Sequence, residues 1–196
     1  MRKLIVTILS TLDGYAAGEG GNIFVMPIDL GFDTYNAERL RHADILLAGA
    51  TTYRQLCGYW PTRAGDPDAP EIEREISRLN GAMRKVVVSD SLTADETGPW
   101  ADTTQIVRRD EAHQRVAELR AEDGDGDIIV FGSVTLWNDL LARGLVDEIH
   151  LLIGPGAIGD GVPTFSTPLT NGLELISAQP IADSQLVALR YAVAAA

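Results

Sequence analysis

A single cysteine, Cys57, and three histidines, His42, His113 and His150, leave the chain short of the residues that hold soft metals. One thiol forms no intrachain disulfide and no cysteine cage, and it suits a reducing cytoplasm. The histidines are widely spaced, with no H-E-x-x-H motif and none of the H-x-E and P-C-x-x-C elements of zinc deaminases, so no metal is expected. No apolar run approaches the roughly 18 residues of a membrane span. The short apolar stretch within residues 1–10 ends without a small-residue cleavage site and reads as a strand. Basic residues are scarce, 16 against 28 acidic, for a net charge of -12. With no basic run to offset that balance, nucleic acid and anionic membrane are excluded as natural partners.

What is present is an ordinary globular composition, 45% hydrophobic over 196 residues, enough for one domain spanning 1–196. Residues 4–9, 45–48, 85–89 and 128–131 are apolar runs suited to strands buried on both faces. Helices are expected over 33–41, 51–56 and 71–79, over a segment capped by Asp110, and over one carrying Leu136, Leu140 and Leu141. Residues 58–70, with Pro61, Pro67 and Pro70, read as a loop, and the acidic stretch 122–127 as a turn. Strands follow at 148–154, and 173–178 with 186–193 form an antiparallel pair. The pattern predicts an α/β fold: a twisted, mostly parallel central sheet flanked by helices, with antiparallel C-terminal strands.

Two stretches repeat one device, a buried strand running into a glycine and a hydroxyl-rich helix start. The first continues into Gly49, Ala50, Thr51, Thr52 and Tyr53, the second into Phe131, Gly132, Ser133, Val134 and Thr135. A glycine lets backbone approach a ligand, and the leading N–H groups of a helix favour phosphate. Two such ends suggest a dinucleotide, with a Ser or Thr expected to cap each helix and reach a phosphate oxygen. Neither is the G-x-G-x-x-G fingerprint nor a Walker loop.

These motifs, with the opening 10–15 (STLDGY), Tyr59-Trp60-Pro61, the strand 85–89 (KVVVS), Leu145-Val146-Asp147-Glu148 and the glycine-rich 155–165, occur in an order that resembles the dihydrofolate-reductase-like proteins related to the C-terminal reductase domain of bifunctional riboflavin biosynthesis protein. The resemblance runs from residue 2 to 193. It implies a reductase of a small pterin-, pyrimidine- or flavin-like ring, similar to 5-amino-6-(5-phosphoribosylamino)uracil reductase or dihydrofolate reductase, using NADPH or NADH. It further implies that Gly49, Ala50, Thr51, Thr52 and Ser89, Asp90, Ser91 hold the adenosine side. Phe131, Gly132, Ser133, Val134 and Thr135 would receive the pyrophosphate, Asp13 and Gly14 would lie near the nicotinamide, and two copies would pair through the strand after Asp147-Glu148 and the C-terminal strands. That strand, residues 149–153, would otherwise be an exposed apolar edge.

The chain departs from this pattern at Ala50 and Asp90, where many relatives carry arginines suited to a 2′-phosphate. Arg84, Lys85, Arg108 and Arg109 are the nearby substitutes. Hydride transfer to C=N or C=O also needs a proton source, for which Asp33 is the candidate and Asp29 the fallback. Tyr59 and Trp60 are placed to stack on a flat ring from the loop edge. The acidic chain shows no second basic pocket for a ribose phosphate. Two other readings stay open: a non-catalytic ligand-binding module on this fold, and a flavin- or deazaflavin-dependent enzyme.

Overall fold

The computed structural model describes residues 1–169 and 172–194. Its first strand, β1 (Leu4–Ser10), is buried at every position, as a continuous apolar run requires. Five further strands run parallel to it or to its neighbours: β3 (Ala43–Gly49), β4 (Arg84–Val88), β5 (Thr104–Val107), β6 (Asp127–Phe131) and β7 (Glu148–Ile153). A C-terminal hairpin, β9 (Leu173–Pro180) and β10 (Val187–Val193), joins antiparallel on β7. The sheet order is β5-β4-β3-β6-β1-β7-β10-β9, so β6 returns late in the chain to fill the gap between β1 and β3. Tyr15–Ala17 (β2) and Val162–Pro163 (β8) pair in a separate ribbon.

Alternation along the strands sorts the helices into two layers. Ile5, Leu46 and Ile129 face α1 (Leu30–Arg41), α2 (Ala50–Arg63) and α3 (Glu71–Ala82), through Ala37, Leu40, Trp60 and Ile76. Leu4, Val6, Leu47 and Val130 face α4 (Ala112–Ala121) and α5 (Val134–Ala142), through Val116, Leu119, Trp137 and Leu140. Each large side chain fully buried here stabilises the fold by roughly 1.5–3 kcal/mol.

Several expectations are corrected. Residues 58–63 are helix, not loop: α2 runs through Pro61 to Arg63, and Tyr59 and Trp60 lie in its final turns. A proline so near the end removes one internal hydrogen bond, and Ser77 of α3 donates to the Trp60 carbonyl at 2.6 Å to hold that end in place. Asp110 does not cap α4. It sits within a 3-10 turn, Arg109–Glu111, that leads into the helix without a side-chain cap. Helix α1 starts at Leu30, ahead of Asp33, because Asp29 caps it by accepting from the Phe32 N–H at 3.1 Å. Residues 149–153 are no edge, since β7 is paired on both sides; the margins of the sheet are β5 and β9.

Candidate active site

Strands β1, β3, β4, β6 and β7 all end on one side of the sheet, and α2 and α5 begin there, directly after β3 and β6, as does α1, whose Asp29 cap is bonded to the β9–β10 turn. Because β6 lies beside β3, the two glycine junctions are neighbours. They are also tied together: the Gly49 N–H donates to Ser133 Oγ at 2.9 Å and the Ser133 N–H donates to Thr52 Oγ1 at 3.1 Å. The expected capping by these hydroxyls is therefore wrong in detail. Gly49 and Ser133 stand at the N-caps with no side-chain cap bond, and the two hydroxyls bridge the junctions instead. The leading N–H groups of both helices are left without a capping side chain, the arrangement that suits phosphate oxygens. Gly132 (φ 55°) and Ser133 (φ 49°) are both left-handed, costly only for the serine. Thr51 and Thr135 are exposed, Ala50 and Val134 half-buried, and Phe131 packs toward the α1–α3 layer.

At the outer strands, Ser89 is buried and its Oγ accepts from the Ser91 and Leu92 N–H groups, at 3.0 and 2.9 Å, fixing the turn after β4. Asp90 is exposed beside Arg108 and Arg109, 3.5 and 3.8 Å from its oxygens, and accepts from the Arg109 N–H at 3.2 Å. Of the four basic substitutes, two are ruled out. Arg84 pairs with Glu122 at the opposite end of the sheet. Lys85 is buried, donating to Met83 O at 2.7 Å and Thr103 Oγ1 at 2.9 Å over the Trp100 ring, and burial pushes it down to about 8.

Beyond the carboxyl ends of β1 and β7, Asp13 accepts from Thr11 Oγ1 at 2.5 Å and from the Ile158 and Gly159 N–H groups at 3.0 and 2.7 Å. These bonds hold its carboxyl below the usual range and brace the Gly14 turn against the loop after β7. Asp29 accepts from Ser184 Oγ at 2.7 Å, joining α1 to the β9–β10 turn. Gly31 allows that contact, because a Cβ there would lie 2.4 Å from Ser184 Cβ. Against the effect of burial, the bonds from Ser184, Phe32 and Gln185 keep Asp29 ionised, which fits a clamp better than an acid.

Asp33 differs. It is half-buried in the first turn of α1 with no hydrogen-bond partner among the described residues, and burial, then the like charges of Glu73 and Asp29, push it up to about 6. Glu73, in the first turn of α3, accepts from the Tyr59 hydroxyl at 3.1 Å, and Tyr59 packs edge-on against Trp60 at 5.0 Å. Glu73 is missed by sequence reading, since nothing in an amphipathic helix marks one acidic residue as facing another helix. His150 is missed too. It is buried in β7, its Nδ1 3.0 Å from the Tyr35 hydroxyl and its Nε2 3.2 Å from Glu148, and burial lowers it to about 4.

A cavity of about 410 Å³ opens at the other, amino-terminal end of the strands, lined by Lys3, Arg39, Asp127, Glu148 and Arg190 among others. Lys3 and Arg190 both pair with Glu148 there, so the geometry around Asp33 and the glycine junctions is the better candidate for chemistry.

Residues 2–187 match the model of the RibD C-terminal domain. The chain belongs to the RibD C-terminal domain family. Within it, the chain is 30% identical to the uncharacterized protein YyaP of Bacillus subtilis over 84% of its own length and 80% of that protein. It is 29% identical to riboflavin biosynthesis protein RibD of Corynebacterium ammoniagenes over 91% of its length but only 51% of that longer protein. The fold is that of a pyrimidine reductase-like protein from Corynebacterium diphtheriae, with a TM-score of 0.62, 16% identity, and coverage of 100% and 93% of the two chains. This RibD C-terminal fold, α/β with a mostly parallel sheet, is the architecture that the glycine junctions and the ordered motifs imply.

Proposed function

We propose that the protein is an NAD(P)H-dependent reductase of a small heterocycle, working as a homodimer in the cytoplasm, where Cys57 stays reduced. The observation that carries this reading is the pair of uncapped helix starts, α2 and α5, tied side by side through Gly49, Ser133 and Thr52. A pyrophosphate fits there, held by the leading N–H groups of both helices. The adenosine would extend toward Ser91 and Asp90, where Arg108 and Arg109 are available to a 2′-phosphate and the Asp90 carboxylate to a ribose hydroxyl. We therefore expect either form of the cofactor to bind. A reduced nicotinamide supplies hydride to a C=N or C=O bond.

The chain's own part is to orient the ring and deliver the proton. Asp33, held up to about 6, is partly protonated near neutrality and returns its proton to the ring atom that gains electron density. Trp60 and Tyr59 offer an aromatic wall beside it.

Titration with NADPH and NADH, followed by tryptophan quenching and calorimetry, tests the reading. Binding of one or both below ~100 µM is expected, weakened about tenfold by Thr52→Val. Absence of binding at ~1 mM overturns it.

A further inference from the structure

The cavity of about 410 Å³ lies at the amino-terminal ends of the strands, across the length of the sheet from the glycine junctions. Its size falls within the ~300–1,000 Å³ of small-molecule sites. The last turn of α1 covers it with Glu38, Arg39 and the adjoining His42, and Ile5 and Ile129 give it an apolar floor. Its rim comes from the starts of β1, β6 and β7, with Lys3, Asp127 and Glu148, and from Arg190 of β10. Three cations, Lys3, Arg39 and Arg190, thus face three carboxylates, Glu38, Asp127 and Glu148. A balance of this kind favours neither a bare anion nor a bare cation.

The pairing inside the cavity is uneven. Glu148 is buried and fully engaged: Oε1 accepts from Lys3 at 2.7 Å, and Oε2 lies 3.2 Å from both Arg190 Nη2 and His150 Nε2. Against the effect of burial, these contacts hold its carboxyl down to about 2. Arg39 meets Glu38 through Nη2 and lies over the Tyr35 ring, while its Nε and Nη1 have no hydrogen-bond partner among the described residues. Asp127 is placed by its N–H, which donates to the His42 carbonyl at 2.9 Å, but its carboxylate accepts no hydrogen bond from a described residue. Burial pushes that carboxyl above its ordinary range, although Lys3, His42 and Arg39 are all within electrostatic reach.

One donor on α1 and one acceptor on β6 therefore remain over a single cavity once the internal pairs are made. Sheltered polar groups of this kind are costly without partners. A carboxylate alone would serve Arg39 and repel Asp127, and an ammonium alone would do the reverse. We propose that the cavity binds a small zwitterion, an α-amino acid with an apolar side chain, its carboxylate on Arg39, its ammonium on Asp127 and its side chain over Ile5 and Ile129. Lys3 and Arg190 stay on Glu148 and form the wall between them. The site is separate from the dinucleotide crevice and stands independently of the reductase reading.

The test is calorimetry on the full chain with L-leucine, L-methionine and L-phenylalanine. Leucine is compared with 4-methylpentanoate, which lacks its amine, and with 3-methylbutylamine, which lacks its carboxylate. At least one amino acid is expected to bind with a Kd below ~1 mM, and both truncated analogues at least about tenfold more weakly than leucine. Asp127→Asn and Arg39→Met should each weaken leucine about tenfold or more, in a crossed pattern: the first narrows its advantage over the carboxylate, the second its advantage over the amine. Circular-dichroism melting checks that both variants fold, and the three leucine-series probes on the wild type decide the matter without them. Failure of all three amino acids at ~10 mM, or an analogue binding as tightly as leucine, overturns the proposal. NADH titration of the same variants is expected to be unchanged; loss of both ligands together overturns the assignment to a separate site.

Discussion

At the scale of single residues, the contrast between Asp29 and Asp33 shows how environment assigns roles to like side chains. Four positions apart on one helix, the first is held ionised by three donors and the second is left without any, beside another carboxylate. A carboxyl raised to about 6 in the folded state, against the ordinary aspartate value of 3.8, contributes stability that is present below the unfolded value and is lost as pH rises through about 6. Asp33→Asn should therefore stabilise the protein at pH 7 by about 2 kcal/mol and have little effect at pH 3, where both states are protonated. Urea titrations at the two pH values check this. The same substitution should lower turnover on the order of 100-fold while the wild-type rate falls above about pH 6, as an acid donor requires.

At the scale of elements, the junction between β3 and β6 is a small network whose members depend on one another. Ser133→Ala leaves the half-buried Gly49 N–H unpaired and retains the left-handed backbone, so a loss of about 2 kcal/mol is expected. Ser133→Gly loses the same bond but relaxes the backbone, and should cost about 1 kcal/mol less. Denaturant midpoints for the two variants decide the order, and a double mutant with Thr52→Val should be less than additive. This network also marks the limit of what sequence reading provides. The buried runs, the two glycines and the helix starts are local patterns and could be read directly. The bond from Gly49 to Ser133 joins residues 84 positions apart and carries no local signature. Pro61 misled for a related reason: proline is a breaker on average, but the support from Ser77 comes from another helix. Glu73 is likewise ordinary until α1, α2 and α3 are packed together.

At the scale of the whole molecule, the sheet has two margins, β5 and β9, and the apolar one is β9, where Leu175 and Ile176 are 60% and 45% exposed. Its neighbour β10 is only partly covered. A free, apolar edge of this kind is normally paired or guarded, and the proposed homodimer would cover it. Light scattering should give twice the chain mass. Replacing Leu175 and Ile176 together by lysine should give a monomer that still binds dinucleotide, because β9 lies far across the sheet from β3 and β6.

The late return of β6 has a consequence for how the molecule comes into being. Strands β1 and β3 have no direct pairing and wait on β6, Asp127–Phe131, which follows both β4 and β5 in the chain. On the ribosome, the emerging N-terminal half can assemble β3, β4 and β5 with their helices, but β1 stays an unpartnered ribbon until residues 127–131 have cleared the exit tunnel. Such non-local closure is slow, and it makes the nascent chain dependent on protection from aggregation during that interval.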